Sequence, residues 1–289
     1  MLERVDRMLL AVTDRARASQ NFQNLLGAQP LREETSAYLN ARIAVLSVGE
    51  SELELCEPAG DGPVDAYLKR WGEGLLAAGY ATTKFDALAA RLADKGVTGV
   101  REGARLFLPG TSTFGLPMVI SPWVERARGN GPVSFFYEAT NTLQSDWQVV
   151  AARYADIFGL DAGRFSPIKS DRFGYVGTLT MFDPPARLDR IELSQTFAEK
   201  PSAMRRFVER RGGDSLYMCY AEAHDFDALK ARLQAGGAAL IPRGPDIASE
   251  RDGLWVHPKS LHGLLLGVSR TTLAWDWSGR PERVKRTPA

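Results

Sequence analysis

The chain has 289 residues, of which 44% are hydrophobic and 25% charged, and its 36 Lys and Arg nearly balance its 35 Asp and Glu. A net charge of +1 gives no field that would collect a nucleic acid or an acidic membrane surface, and no apolar run approaches the length of a membrane span. Only Cys56 and Cys219 are present, each inside an apolar run, so neither a disulfide framework nor a thiolate metal site is expected.

The N-terminal stretch Met1-Leu-Glu-Arg-Val-Asp-Arg7 mixes both signs of charge and leads directly into a strand. That is unlike a signal peptide, and a cytoplasmic protein is expected. Met8–Val12 reads as a buried strand. Asp14 then caps a helix that runs through Phe22 and Leu25 and stops at Gly27. Arg42–Val48 and Leu53–Cys56 read as strands around a Gly49-Glu50-Ser51 turn, with room for one more strand near Leu39. A second pass follows: an apolar run from Leu75 to Thr82, a helix from Phe85, and strands near 104–108 and 116–120, with a turn at Pro109-Gly110. The polar stretch Arg126-Ala-Arg-Gly-Asn-Gly-Pro132 reads as a linker, which places domains at 1–126 and 132–289.

Beyond it, Ser134–Ala139 reads as a strand, Leu143–Phe158 as an amphipathic helix ending at Gly159, and Tyr175–Met181 and Leu188–Leu193 as strands. Leu216–Ala221 is again strand-like, a helix follows from Phe226, and a hairpin is expected from Leu254–Val256 and Gly263–Val268. Trp275 and Trp277 are expected to pack the end of the chain on the body, with a loose charged tail over 280–289.

An internal repeat links the halves. Phe85-Asp-Ala-Leu-Ala-Ala-Arg-Leu-Ala-Asp-Lys-Gly96 returns as Phe226-Asp-Ala-Leu-Lys-Ala-Arg-Leu-Gln-Ala-Gly-Gly237, 141 residues later. Phe85, Leu88 and Leu92, like Phe226, Leu229 and Leu233, occupy one helix face, and a glycine ends each copy. The organisation is α+β, with four βαβββ units, two per half. No strand–GxGxxG–helix is present, so no nucleotide role is read from the glycines.

Certain stretches carry a family resemblance: Val5-Asp-Arg-Met-Leu-Leu-Ala-Val12 with Asp14, Asn24-Leu-Leu-Gly27, Leu53-Glu-Leu-Cys-Glu-Pro58 and Gly72-Glu-Gly-Leu75, and later Ile191-Glu-Leu193, Arg211-Gly-Gly213 and His257-Pro-Lys-Ser-Leu-His262-Gly-Leu-Leu-Leu266. With them the chain resembles the vicinal oxygen chelate superfamily, which includes glyoxalase I, bleomycin-resistance proteins, extradiol dioxygenases and methylmalonyl-CoA epimerase. The resemblance implies two glyoxalase-like bowl domains, each with a place for a divalent metal held by His and Glu or Gln. Carried over, those places fall at Arg7, Glu54, Ala77 and Val119 in the first half and at Ser134, Glu192, Tyr217 and Gly267 in the second. Only Glu54 and Glu192 are metal ligands by type, so no metal and no other cofactor is expected. A displaced site built from His257, His262 and Glu192 is the alternative.

In the first half, Arg7 beside Glu54 reads as a structural ion pair that fills the bowl. In the second, Glu192, Tyr217 and His262 read as catalytic: a carboxyl of raised pKa, a phenol donor and a proton shuttle. Ser134, Phe136, Tyr175, Arg211 and Trp255 are the expected substrate contacts, with Arg211 drawn from a basic cluster that includes Arg205, Arg206 and Arg210. The leading function is a metal-independent lyase or isomerase acting on a small organic substrate, aromatic ones included. The alternatives are a small-molecule sequestering protein of the bleomycin-resistance type, and a metal-dependent dioxygenase or epimerase. The expected partner is a small molecule rather than nucleic acid or membrane, and a homodimer is an admissible assembly.

Overall fold

In a computed structural model, residues 1–182, 187–242 and 252–284 are described. The first half forms β1 (Arg4–Ala11), α1 (Arg15–Leu26), β2 (Gln29–Ser36), β3 (Ala41–Val48), β4 (Ser51–Pro58), α2 (Pro63–Trp71), β5 (Gly74–Thr82), α3 (Phe85–Asp94), β6 (Val100–Glu102), β7 (Arg105–Leu108) and β8 (Met118–Pro122). The second forms β9 (Val133–Leu143), α4 (Trp147–Phe158), β10 (Ser166–Ser170), β11 (Tyr175–Met181), β12 (Arg190–Thr196), α5 (Ala203–Arg211), β13 (Ser215–Ala223), α6 (Phe226–Ala235), β14 (Leu240–Pro242), β15 (Gly253–Val256), β16 (Leu266–Arg270) and α7 (Thr271–Ala274).

Each half is one eight-stranded sheet, in the order β2-β3-β4-β1-β5-β8-β7-β6 and β10-β11-β12-β9-β13-β16-β15-β14. In both, the first strand of one βαβββ unit pairs antiparallel with the first strand of the next, β1 with β5 and β9 with β13. The architecture is thus two curled sheets, each a bowl, as the repeat implies.

Local chemistry sets the element ends. The Asp14 carboxylate accepts from the Arg17 N–H, and Gly27 closes α1 at φ 71°. Phe85, Leu88 and Leu92 are the buried face of α3, and Phe226, Leu229 and Leu233 that of α6. Four strands (β2, β6, β10 and β14) and three helices (α2, α5 and α7) were not legible from pattern alone. β2 lies at 29–36 rather than near Leu39 and is largely exposed. β10 and β14 are short edge strands, and α2 buries little beyond Val64. β9 runs on to Leu143, so α4 begins at Trp147 rather than at Leu143.

Helices α1, α3, α4 and α6 cover one face of the sheets and meet at a core continuous across both halves, from Val5, Met8 and Phe22 to Phe136, Tyr154 and Phe158. Among the described residues no helix is long and apolar enough to cross a membrane. Trp275 is half-buried, whereas Trp277 is 52% exposed. Of the tail expected at 280–289, residues 285–289 lie outside the described region.

Candidate functional site

The concave face of the first bowl is closed. Leu9, Ile43, Val45, Cys56, Ala77 and Val119 form an apolar floor there, and α2 lays Val64, Tyr67 and Leu68 onto it. The rest is ionic. The Arg7 guanidinium, 4% exposed, lies 2.7 Å from Glu54 and 3.3 Å from Glu52, and also holds Asp6. Arg105 bridges Glu54 at 3.0 Å and Glu34 at 2.9 Å, while Arg32 and Arg126 both reach Glu52. Burial would raise the Asp6 and Glu52 pKa values, but the guanidiniums outweigh it and hold both below the ordinary range. Gly79 makes room for this: a Cβ there would stand 2.1 Å from Cγ of Arg7.

The second bowl is open. A cavity of about 560 Å³ is bounded by β9, β11, β12, β13, β15 and the segment after β16. α5 occupies the place of α2 in chain order, yet it brings Met204 to the cavity edge rather than sealing it.

Strand register identifies the equivalent positions. Arg7 faces Glu52 and Leu9 faces Glu54 across β1 and β4, while Glu138 faces Arg190 and Thr140 faces Glu192 across β9 and β12. Arg7 therefore corresponds to Glu138, not to Ser134, and Glu52 corresponds to Arg190. The same rung carries an ion pair in both halves with its sign reversed. Likewise Leu9 faces Ala77 and Thr140 faces Met218, so Ala77 corresponds to Met218, not to Tyr217. Gly267 does correspond to Val119, and its missing side chain leaves room for the ring of Tyr220, which a Cβ would meet at 2.1 Å.

Glu192 is 8% exposed. It accepts hydrogen bonds from the Ser194 hydroxyl and, at 3.2 Å, from Thr140 Oγ1, which also lies 3.4 Å from Glu138. Glu138 is held by Arg190, whose Nη1 also donates to the carbonyl of Ala274 at 3.4 Å. Burial raises the Glu192 pKa to about 8, helped by the charge of Glu138 and a hydrogen bond to it, against the weaker pull of Ser194 and Arg190. At neutral pH Glu192 is thus a carboxylic acid, beside a Glu138 that is paired with Arg190. The contrast with the first bowl is one of charge balance: four guanidiniums serve the acids there, and one serves two here.

Tyr217, Tyr175 and Trp255 line this cavity with Glu192. Burial raises the Tyr217 pKa, so it remains a phenol and a donor. The Trp255 indole N–H donates to Tyr220 at 2.8 Å, and Phe173 stands edge-on to Trp255 with centroids 5.4 Å apart.

Four expected residues are elsewhere. His262, at φ 49°, sits between β15 and β16, with Nδ1 2.7 Å from Glu73 of the first half, in a polar groove that Arg17, Asn21 and Lys259 also line. Its place beside a positive-φ glycine made it a junction residue rather than a cavity one. Arg211 closes α5 against the first half, donating to the Tyr67 hydroxyl at 2.8 Å and stacking over Trp71. Ser134 meets His224 and Arg128 outside the cavity. Phe136 is fully buried in the core on the opposite face of β9.

Glu138 and Arg190 were missed. The repeat has an offset of 141 at its helices, but Arg7 and Glu138 are only 131 apart, so counting back from the helices misplaces the first strand. The legible signal was a lone glutamate inside the apolar run Phe135–Ala139.

The donors do not fit a divalent metal. Three or four converging N, O or S ligands are needed. Here one carboxylate is bound to a guanidinium, its neighbour keeps a proton, and no imidazole lines the cavity. Among the described residues no group of three His, Cys, Asp or Glu could hold a metal ion.

A duplicated bowl with one sealed and one open half leaves the second bowl as the candidate small-molecule site. Residues 6–110 match the model of the Glyoxalase/Bleomycin resistance protein/Dioxygenase superfamily. A triple mutant of 4-hydroxymandelate synthase from Streptomyces coelicolor has the same fold, with a TM-score of 0.73 at 16% identity over 93% of both chains. So does a xylose isomerase-like TIM barrel/4-hydroxyphenylpyruvate dioxygenase fusion protein, with a TM-score of 0.65 at 11% identity over 93% of this chain and 49% of that one. Uncharacterized protein YqjC of Bacillus subtilis (strain 168) is 33% identical over 75 residues, 26% of this chain and 54% of the relative's length.

Proposed function

We propose that the chain is a metal-independent acid–base enzyme, an isomerase or lyase, acting on a carbonyl compound in the second bowl. One observation carries this reading: Glu192 keeps its proton at neutral pH beside Glu138, which is paired with Arg190, in a cavity walled by aromatic rings. Two adjacent carboxyls can supply an acid and a base in one place. In the simplest step, the Glu192 O–H proton passes to the substrate carbonyl oxygen. A proton on the adjacent carbon passes to Glu138, and the C–H electron pair forms the C=C bond of the enol. Arg190 holds Glu138 in place, and Tyr217 offers a second donor to the oxygen. Return of a proton to either face of the carbon completes an isomerisation, and loss of a β-substituent completes an elimination.

The test uses deoxybenzoin, a neutral two-ring ketone with an acidic CH2, in D2O with NMR detection of deuterium uptake. Acceleration over buffer is expected, falling about 10²–10⁴-fold in Glu192→Gln and declining as pH rises through about 8, where Glu192 loses its proton. The ion pair that already occupies Glu138 favours a second reading, a sequestering protein without turnover. Tight ketone binding with no exchange above buffer would select it.

A further inference from the structure

We infer that the second bowl takes a flat, electrically neutral ligand of two or three aromatic rings, bound with a carbonyl or similar acceptor against Glu192, and that it rejects ligands carrying an anion at that depth. The inference rests on the functional reading for its site but not for its chemistry.

Size and walls give the first half of it. A volume of about 560 Å³ is in the range of drug-sized ligands. A three- or four-atom acid would leave most of the lining without contact, and unfilled apolar lining forfeits its dispersion energy. Phe173, Tyr175, Tyr217, Tyr220, Trp255 and Trp277 present rings from the β10–β11 turn, β11, β13, β15 and the segment after β16. The hydroxyl of Tyr220 is already engaged by Trp255, so that part of the wall offers ring faces and edges rather than polar atoms.

Charge gives the second half. Among the described residues the deep cation of this cavity is Arg190, and it is committed: Nε to Glu138, Nη1 to the Ala274 carbonyl, with its guanidinium carbon 5.0 Å from the centre of the Tyr137 ring. A carboxylate or phosphate brought to Glu192 would meet two acids and no uncommitted guanidinium, and burying an unpaired charge is costly. Arg172 is exposed and stacks on Phe173, so an ionised group is tolerated only outward, at the mouth. The carboxyl of Glu192 is a hydrogen-bond donor whose present acceptor is Glu138, and a ligand carbonyl at that depth would share or take over this donor.

The experiment compares 9-fluorenone with fluorene-9-carboxylate, the same rings with the carbonyl replaced by an anion, by quenching of tryptophan fluorescence at neutral pH. Fluorenone should bind at least about tenfold more tightly to the wild type, which corresponds to 1.4 kcal/mol. In Glu138→Gln the guanidinium of Arg190 is released, and the carboxylate should gain at least about tenfold relative to fluorenone. A carboxylate that binds the wild type as tightly as fluorenone, or failure of fluorenone to bind at all, overturns the inference. Should Glu138→Gln not fold, the wild-type ratio still decides. Fluorenone has no exchangeable hydrogen beside its carbonyl, so it reports on ligand class alone. Fluorenone binding without deuterium exchange in deoxybenzoin would remove the catalytic reading and leave this one standing.

Discussion

Glu54 and Glu192 occupy the same strand position in the two halves and are given different partners by their neighbours. Glu54 is bracketed by Arg7 and Arg105 and is fully buried. Glu54→Gln should therefore leave two guanidiniums short of a partner and lower the unfolding free energy by about 3 kcal/mol, the low end for breaking a buried pair, since Arg7 retains Asp6 and Glu52. Urea denaturation measures this. Glu192→Gln should behave in the opposite way. Its folded pKa, about 8, lies above its ordinary value of 4.5, so between these values the folded state holds a proton that the unfolded state has released. The stability of the wild type consequently declines as pH rises from about 4.5 to about 8. Asp6 and Glu52 act with the other sign, since their folded pKa values are depressed: they stabilise above the ordinary carboxylate range and fail as pH falls below it. Thermal scans from pH 5 to pH 8 should show the wild type losing stability relative to Glu192→Gln as pH rises. A difference between the two that stays constant over that range would place the Glu192 pKa in the ordinary range.

At the level of elements, the two halves are fastened by a matched pair of turns. Phe114-Gly115 and His262-Gly263 both have positive φ, and each turn packs on the opposite half. A Cβ on Gly115 would stand 1.8 Å from the Asp214 carbonyl oxygen, and one on Gly263 2.0 Å from that of Glu73. Gly115→Ala and Gly263→Ala should each cost about 2 kcal/mol or more, through clash and backbone strain together. A midpoint unchanged in chemical denaturation would show that the turns yield. His262→Phe copies the residue of the first-half turn and removes the Glu73 contact without touching the cavity. It should leave deoxybenzoin exchange within about twofold of wild type, since surface and junction changes distant from a site couple weakly to it. A loss comparable to that of Glu192→Gln would return His262 to the catalytic group.

These elements also mark what the sequence allowed. The repeat, the helix stops and the buried strands carry strong periodic signals, and the duplicated fold was legible from them. Glu192, Tyr217, Tyr175 and Trp255 were legible as strand-borne polar or aromatic groups and do line one cavity. Glu138 and Arg190 were not, because their partnership depends on a parallel register between β9 and β12 that no local pattern records. Arg211 and His262 were misplaced for a related reason: each lies near the end of an element whose direction is set by the opposite half.

On the scale of the whole molecule, one core runs through both halves, and backbone groups are exchanged across them. The N-terminal amine donates to the carbonyls of Phe158 and Gly159, the Val5 N–H to Asp189 at 2.7 Å, and the Phe136 N–H to Ser51 at 2.9 Å. Calorimetry should accordingly give one transition with equal calorimetric and van't Hoff enthalpies, not two. The sealed first bowl then has a consequence for how such a chain diversifies. A matched set of charges and an apolar plug supply a reserve of stability away from the open cavity. Because unfolding is shared, that reserve underwrites replacements in the other bowl, where a mismatched acid and an unfilled volume already weaken the fold. Drift in the cavity wall is thereby tolerated up to a threshold, and a library of substitutions should show broad permissiveness around Trp255 and Tyr175 that collapses when the same library is built on Glu54→Gln.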